Sequence, residues 1–336
     1  MKRISRRLVI TRALPASAIT MLALPGYTQA GVSAMPVPAQ NLESGRSVSA
    51  PLRVLIGFSR RSASDDLVRS LAPALAAALG RPVQIDLMPG ELGAIAVRAA
   101  LSSPPDGNTV LVATFGTHAI NPNLKADVGY DPVRDFSPIC LATRSPLVLG
   151  TRLSLGAGSV KELIALASQK ELTYGSSGVG SAPYLAALLF QKMAGVKMVH
   201  RPYADTRKLY EDLQAGRLDL SFNNASTMLP LVRDRQLRAL AVTTPVRCAA
   251  LPDVPTLAEA ALEGYALNNW LGFVAPPHTP APVVMALNRA LTAALNAPET
   301  RSFLALNGID VAGSTPAEFS AYIAEEMQRW AWLRGA

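Results

Sequence analysis

The stretch Tyr174-Gly175-Ser176-Ser177-Gly178-Val179-Gly180-Ser181 runs into the apolar segment from Tyr184 to Phe190, where a strand is expected to hand over to a helix. Small residues rich in donors at such a junction form an anion cradle. The first helical turn carries backbone N–H groups without intrahelical partners and a partial positive end, glycines allow close approach, and serine hydroxyls add donors. The guest this chemistry suits is a small carboxylate. The same residues also fit a glycine-rich connection closed by an ordinary serine cap.

Other chemistries lack their residues. Gly175-Ser176-Ser177-Gly178-Val179 departs from the Gly-x-Ser-x-Gly nucleophile pattern at its last position. His118, His200 and His278 stand far apart, without metal-ligand spacing or an acid partner. Gly178-Val179-Gly180-Ser181-Ala182-Pro183 lacks the third glycine of a dinucleotide fingerprint. The expectation is a binding protein without catalytic residues, metal or cofactor.

Lys2, Arg3, Arg6, Arg7 and Arg12 precede an apolar stretch from Ala13 to Leu24, and Ala30 offers a cleavage position. Residues 1–30 are therefore expected to be an export signal, and Ser5-Arg6-Arg7-Leu8-Val9 is compatible with the twin-arginine route. The destination implied is the periplasm. Without the five basic residues of the signal the formal charge falls from +8 to +3. Lys and Arg are scattered among Asp and Glu, and aromatics are 6%, which argues against nucleic acid as a partner. Residues 31–50, rich in Ser, Pro, Val and Ala, form a leader. About 285 residues remain, a length that suits two linked lobes.

Elements follow from periodicity. A strand is expected over 53–58, a helix over 66–79 closed by Gly80, a strand over 83–87, a helix over 92–101 and a strand over 109–114. The alternation resumes with a strand at 146–149, then helix 160–169, strand 172–174, helix 184–193, strand 197–203, helix 207–215 and strands 218–222 and 237–243. Helices close the chain at 283–296, 299–306 and 316–332. Alternation of this kind predicts α/β lobes, each a mostly parallel sheet flanked by helices, with ligands held beyond the carboxyl ends of the strands.

A set of short motifs stands in one order: Pro105-Asp106-Gly107, Asn121-Pro122, Tyr130-Asp131-Pro132-Val133-Arg134-Asp135-Phe136, Thr173 to Ser181, Arg201-Pro202-Tyr203, Leu251-Pro252-Asp253-Val254-Pro255-Thr256 and Trp270-Leu271-Gly272. From Arg53 to Trp332 the chain resembles the Bug receptors, the periplasmic solute-binding proteins of tripartite tricarboxylate transporters. The resemblance implies a two-lobed, hinge-linked type II periplasmic-binding-protein fold. One lobe would combine 51–143 with 246–336, and the other would hold 144–245. It also implies a monomer, a carboxylate-bearing organic acid or amino acid in the cleft, and the permease subunits of such a transporter as partner, or alternatively a sensor kinase.

Carried over position by position, the second-lobe contacts are Ser177, Gly178, Val179, Gly180 and Ser181, and the first lobe supplies Phe58, Ser59, Thr114, Gly116 and Thr117. Thr117 fits a self-satisfied turn equally well. Tyr203 would line the second-lobe wall with its hydroxyl in the cleft, and Asn223 would either pair with the solute or shape a turn. Two departures bear on the substrate. Family glycines in the first loop are replaced by Arg61 and Ser62, where side chains either block the amides or offer a guanidinium fork to a carboxylate. After Tyr203 stands Asp205, which either faces the ligand, suiting an amino group, or caps the following helix. By the family's topology Cys140 and Cys248 lie near the connections between lobes, as a bridge or as two buried thiols.

Overall fold

The structure, a computed structural model, describes residues 50–124, 128–203 and 205–334. The proposed signal and nearly all of the leader lie outside these residues. The chain forms β1 (Leu52–Ile56), α1 (Ala63–Leu79), β2 (Val83–Leu87), α2 (Ala94–Leu101), β3 (Thr109–Thr114) and the short α3 (Asn121–Leu124). Then come β4 (Ser137–Ser145), β5 (Leu147–Arg152), α4 (Val160–Gln169), β6 (Leu172–Ser176), α5 (Ala182–Ala194), β7 (Met198–Pro202), α6 (Thr206–Gln214), β8 (Leu220–Asn224), α7 (Ala225–Arg233) and β9 (Leu237–Val242). The remainder is α8 (Leu257–Ala260), β10 (Asn269–Ala275), α9 (Ala281–Leu295), α10 (Pro298–Leu306), β11 (Asp310–Val311) and α11 (Pro316–Arg329).

Local signals account for most of these boundaries. Ser62, Ser159 and Ser181 cap α1, α4 and α5 by accepting a hydrogen bond from the third helical N–H, and Gly80 and Gly195 close α1 and α5 in the left-handed conformation. Thr256 and Thr315 form capping boxes with Glu259 and Glu318.

Two sheets result, with strand orders β11-β4-β10-β3-β1-β2 and β7-β6-β8-β5-β9. They are mixed, which corrects the expectation of mostly parallel sheets. The βαβ units give parallel pairs β1–β2, β1–β3, β6–β7 and β6–β8. The remaining pairings, β10 with β3 and β4, β4 with β11, and β5 with β8 and β9, are antiparallel. The cause is the route of the chain: it leaves the first sheet along β4, enters the second along β5 with Pro146 between them, and returns after β9.

The two crossings meet. Leu147 N donates to Thr243 Oγ1 at 2.9 Å, and Thr243 N donates to Leu147 O at 3.0 Å. Apolar packing reinforces that junction. Val54, Leu71, Phe273 and Leu291 fill the layer between the first sheet and α1 and α9, and Leu209, Met228 and Leu229 fill the layer under α6 and α7. A third cluster is continuous across both sheets, from Leu55 and Phe115 through Trp330 and Tyr265 to Leu185 and Phe190 on α5. The Tyr265 hydroxyl completes it by donating to Ala186 O at 2.9 Å. Cys140 and Cys248 are both buried and free.

Candidate functional site

The loop after β6 turns on a hydroxyl. Ser176, fully buried, accepts the Gly178 N–H at 3.1 Å through Oγ. The Gly178 carbonyl in turn accepts from Ser181 Oγ at 2.6 Å and from Ser181 N at 3.2 Å. Gly178 and Gly180 have φ of 113° and 83°, values that glycine adopts without steric cost. Among the described residues the N–H groups of Ser177, Val179 and Gly180 have no internal partner. The chain therefore presents unpaired donors at the amino end of α5, where the helix dipole favours negative charge. Gly178 contributes shape, because its own N–H is already bonded to Ser176.

Across from this loop stand the connections after β2 and β3. A Cβ on Gly180 would lie 3.2 Å from both Leu92 Cδ1 and Leu124 Cδ1, so the β6–α5 loop rests on side chains carried by the first sheet's connections. A Cβ on Gly93 would meet Thr117 Cγ2 at 2.7 Å and the Phe58 ring at 3.5 Å, which packs Phe58 and Thr117 around one glycine. Leu92, at φ 56°, and Val179 are exposed, giving the mouth an apolar component. Sequence reasoning gave Leu92 and Leu124 no role at the site, read Ser176 only as part of the donor-rich loop, and set His200 aside as lacking metal-ligand spacing and an acid partner. Long-range packing singles out Leu92, Leu124 and His200.

The first loop is held from below. Ser62 N donates to Ser59 O at 3.2 Å, and the Arg61 N–H donates to Asp65 Oδ2 at 2.9 Å. Burial pushes the Asp65 carboxyl up, but the hydrogen bonds from Arg69 and from the Arg61 amide outweigh it and hold the group below its ordinary value. Arg61 sits at φ 64°, the left-handed region where the family's glycine is at ease. Its side chain is exposed, and no acceptor for its guanidinium is found among the described residues. Ser59 is likewise exposed, while Ser62 Oγ is engaged as the α1 cap, accepting from Asp65 N at 3.3 Å.

Other expected contacts are turned elsewhere. Thr114 and Thr117 are buried and satisfy each other, each backbone N–H donating to the other's hydroxyl at 3.1 Å, so the self-satisfied turn describes Thr117. Gly116 opens a π-helical turn over Gly116–Ile120 and is partly exposed. The Tyr203 hydroxyl does not reach into the cleft; it donates to Asp212 Oδ2 at 2.8 Å. That carboxyl, bonded first to Arg217 and then to Tyr203, is held down at about 2. Asp205 caps α6, accepting from Arg207 N at 2.9 Å. Asn223 is buried and donates to Ser221 Oγ at 3.1 Å. The contacts across the two sheets thus run from Gly180 to Leu92 and Leu124, with Phe58 and Thr117 packed behind them around Gly93.

Two mixed sheets joined by paired crossings, with a loop of unpaired N–H groups at the amino end of α5, define the architecture of a two-lobed solute-binding protein. Residues 67–334 match the family described as the tripartite tricarboxylate transporter family receptor, and the chain belongs to that family. It is 29% identical to BugT of Bordetella pertussis, over 84% of this chain and 87% of that protein. Among solved structures it is similar to R. palustris Rpa4515 with adipate, at TM-score 0.77 and 33% identity, covering 84% of this chain and 95% of that one. It is also similar to MatC from Rhodopseudomonas palustris with bound malate, at TM-score 0.75 and 28% identity, covering 84% and 98%. The two-lobed α/β fold and the Bug-type resemblance both stand, with sheets that are mixed rather than mostly parallel.

Proposed function

We propose that this chain is an exported receptor that holds a small organic carboxylate between its two sheets and hands it to the membrane subunits of a tripartite tricarboxylate-type transporter. The observation that carries the reading is the set of unpartnered N–H groups at Ser177, Val179 and Gly180, in a loop that packs on Leu92 and Leu124 from the first sheet's connections. Donors of this kind match a carboxylate's lone pairs, and ordered water extends them at little cost. The adipate and malate in the two similar structures support the same class of guest.

A plain acid is favoured over an amino acid. Asp205, the carboxylate expected to suit an ammonium group, is instead bonded to the α6 N-terminus. Lobes of 51–143 with 246–336 and of 144–245, working as a monomer after cleavage near Ala30, complete the reading. The test is a thermal-shift panel on the refolded chain from Pro51 onward, with mono-, di- and tricarboxylates set against amino acids. A ligand that binds only the native state raises the midpoint. A rise with carboxylates alone is expected, and a rise confined to amino acids would overturn the assignment.

A further inference from the structure

Behind the cradle, His200 on β7 places Nε2 2.7 Å from Ser176 Oγ. This is the same oxygen that accepts the Gly178 N–H at 3.1 Å. The ring is half-buried, stacked on Tyr174 at 5.0 Å and met edge-on by Tyr184 at 4.9 Å. Strand pairing sets the placement, since Tyr174 and His200 are register partners in the β6–β7 ladder and Ser176 lies two residues further along the same face. Resting on the reading of the cleft as a carboxylate site, we propose that His200 is the positioning residue of the cradle. It holds Ser176 so that the loop keeps its outward N–H groups, and on protonation it places a positive charge directly beneath the bound anion.

The hydrogen-bond count works in both protonation states. With the imidazole neutral, Ser176 O–H donates to Nε2 and its oxygen accepts from Gly178. With it protonated, Nε2–H donates to Ser176 Oγ, whose two lone pairs take both donors while its own proton turns to the Gly178 carbonyl, 3.4 Å away. The loop geometry is kept and the charge changes. The groups that face the ring are Ser176 and Tyr174 from β6 and Tyr184 from α5. Tyr174, pushed up to about 12 by burial, stays neutral in the working range. Burial lowers the His200 pKa from its ordinary value, which favours the neutral ring in the ligand-free protein. By linkage, a bound anion draws a proton onto His200, and acid strengthens anion binding.

The experiment compares the wild type with His200→Gln, which keeps a hydrogen bond to Ser176 without a titrating charge, and with His200→Phe, which keeps the ring packing and loses the bond. Calorimetry with adipate from pH 7.5 to 5.5 reads affinity, and the ratio of wild type to His200→Gln cancels protonation of the ligand itself. We expect that ratio to grow about tenfold toward acid, with His200→Phe weaker than both at pH 7.5. In parallel, NMR on the ligand-free protein follows the His200 ring carbon and the amides of Gly178, Val179 and Gly180, which should share one midpoint. A flat affinity ratio, or amides that ignore the His200 titration, would overturn the proposal. If adipate binds none of the three proteins while the amides still track His200, the carboxylate reading of the cleft fails for this acid and the positioning role stands.

Discussion

Asn269 at the start of β10 donates from Nδ2 to Asn224 Oδ1 at the end of β8, 2.9 Å apart, joining the first sheet to the second. With the Leu147–Thr243 pair it ties the sheets beside the crossings. Asn269→Ala removes one neutral hydrogen bond, for a loss of about 1 kcal/mol and roughly 2–4 °C in melting temperature. Scanning calorimetry checks the stability. Small-angle scattering should show a larger radius of gyration in the ligand-free variant, and an unchanged radius would assign the pair to local stability alone.

Gly180→Ala tests how closely the lobes approach. At φ 83° an alanine is strained by roughly 1–2 kcal/mol, and its Cβ would press on Leu92 and Leu124 at 3.2 Å. Carboxylate affinity should fall about tenfold or more. In the double variant Gly180→Ala/Leu92→Ala the contact is relieved, so part of the affinity returns and the backbone strain remains.

Arg61→Gly separates stability from binding. Glycine relieves the left-handed strain that arginine carries at φ 64° but adds unfolded-state entropy, so the two effects nearly cancel and stability should shift by less than about 1 kcal/mol. Loss of the unpaired guanidinium should weaken carboxylate binding several-fold, more for di- than for monocarboxylates and less at high salt. Titration calorimetry at two ionic strengths reads both effects. Unchanged affinity would mean that the Arg61 side chain stays in solvent.

His118 is fully buried, and desolvation lowers its pKa to about 3. Because the folded value is depressed for a base, the unfolded chain takes up a proton that the native state refuses. The stability contribution is therefore complete above about pH 6.5 and is lost as pH falls toward 3, at about 1.4 kcal/mol per pH unit. Urea unfolding at pH 7, 5.5 and 4 should show this slope in the wild type. It should be shallower by about one proton in His118→Asn, whose amide stands where Nδ1 bonds Thr117.

The thiols should be inert. Burial pushes Cys140 up to about 12 and also raises Cys248, so little thiolate exists at neutral pH. A thiol reagent should modify neither in the native protein and both after denaturation. Rapid native labelling of Cys248 would show that the segment around it opens.

Much of the fold was legible where one element carries its own signals. The helix expected over 160–169 is α4 residue for residue, because Ser159 caps it and its apolar spacing is regular. Less was legible where neighbours supply the reason. α7 went unread because Asn224, Ser226 and Thr227 favour turns and Pro230 interrupts the helical pattern. β4 was missed because its residues, buried on both faces, show no alternation.

Taken alone, the sequence determined the α/β alternation, several helix caps and the glycine–serine loop between β6 and α5, since each rests on contacts a few residues apart. Tertiary structure decided which polar side chains are engaged elsewhere and which stay unpaired. It turned Tyr203 to Asp212 and Asp205 to its own helix, left the Arg61 guanidinium unpaired, and set His200 behind Ser176 from a strand 24 residues away. Those outcomes depend on register between strands and on the meeting of two sheets, and a shift of one residue would send every side chain to the opposite face.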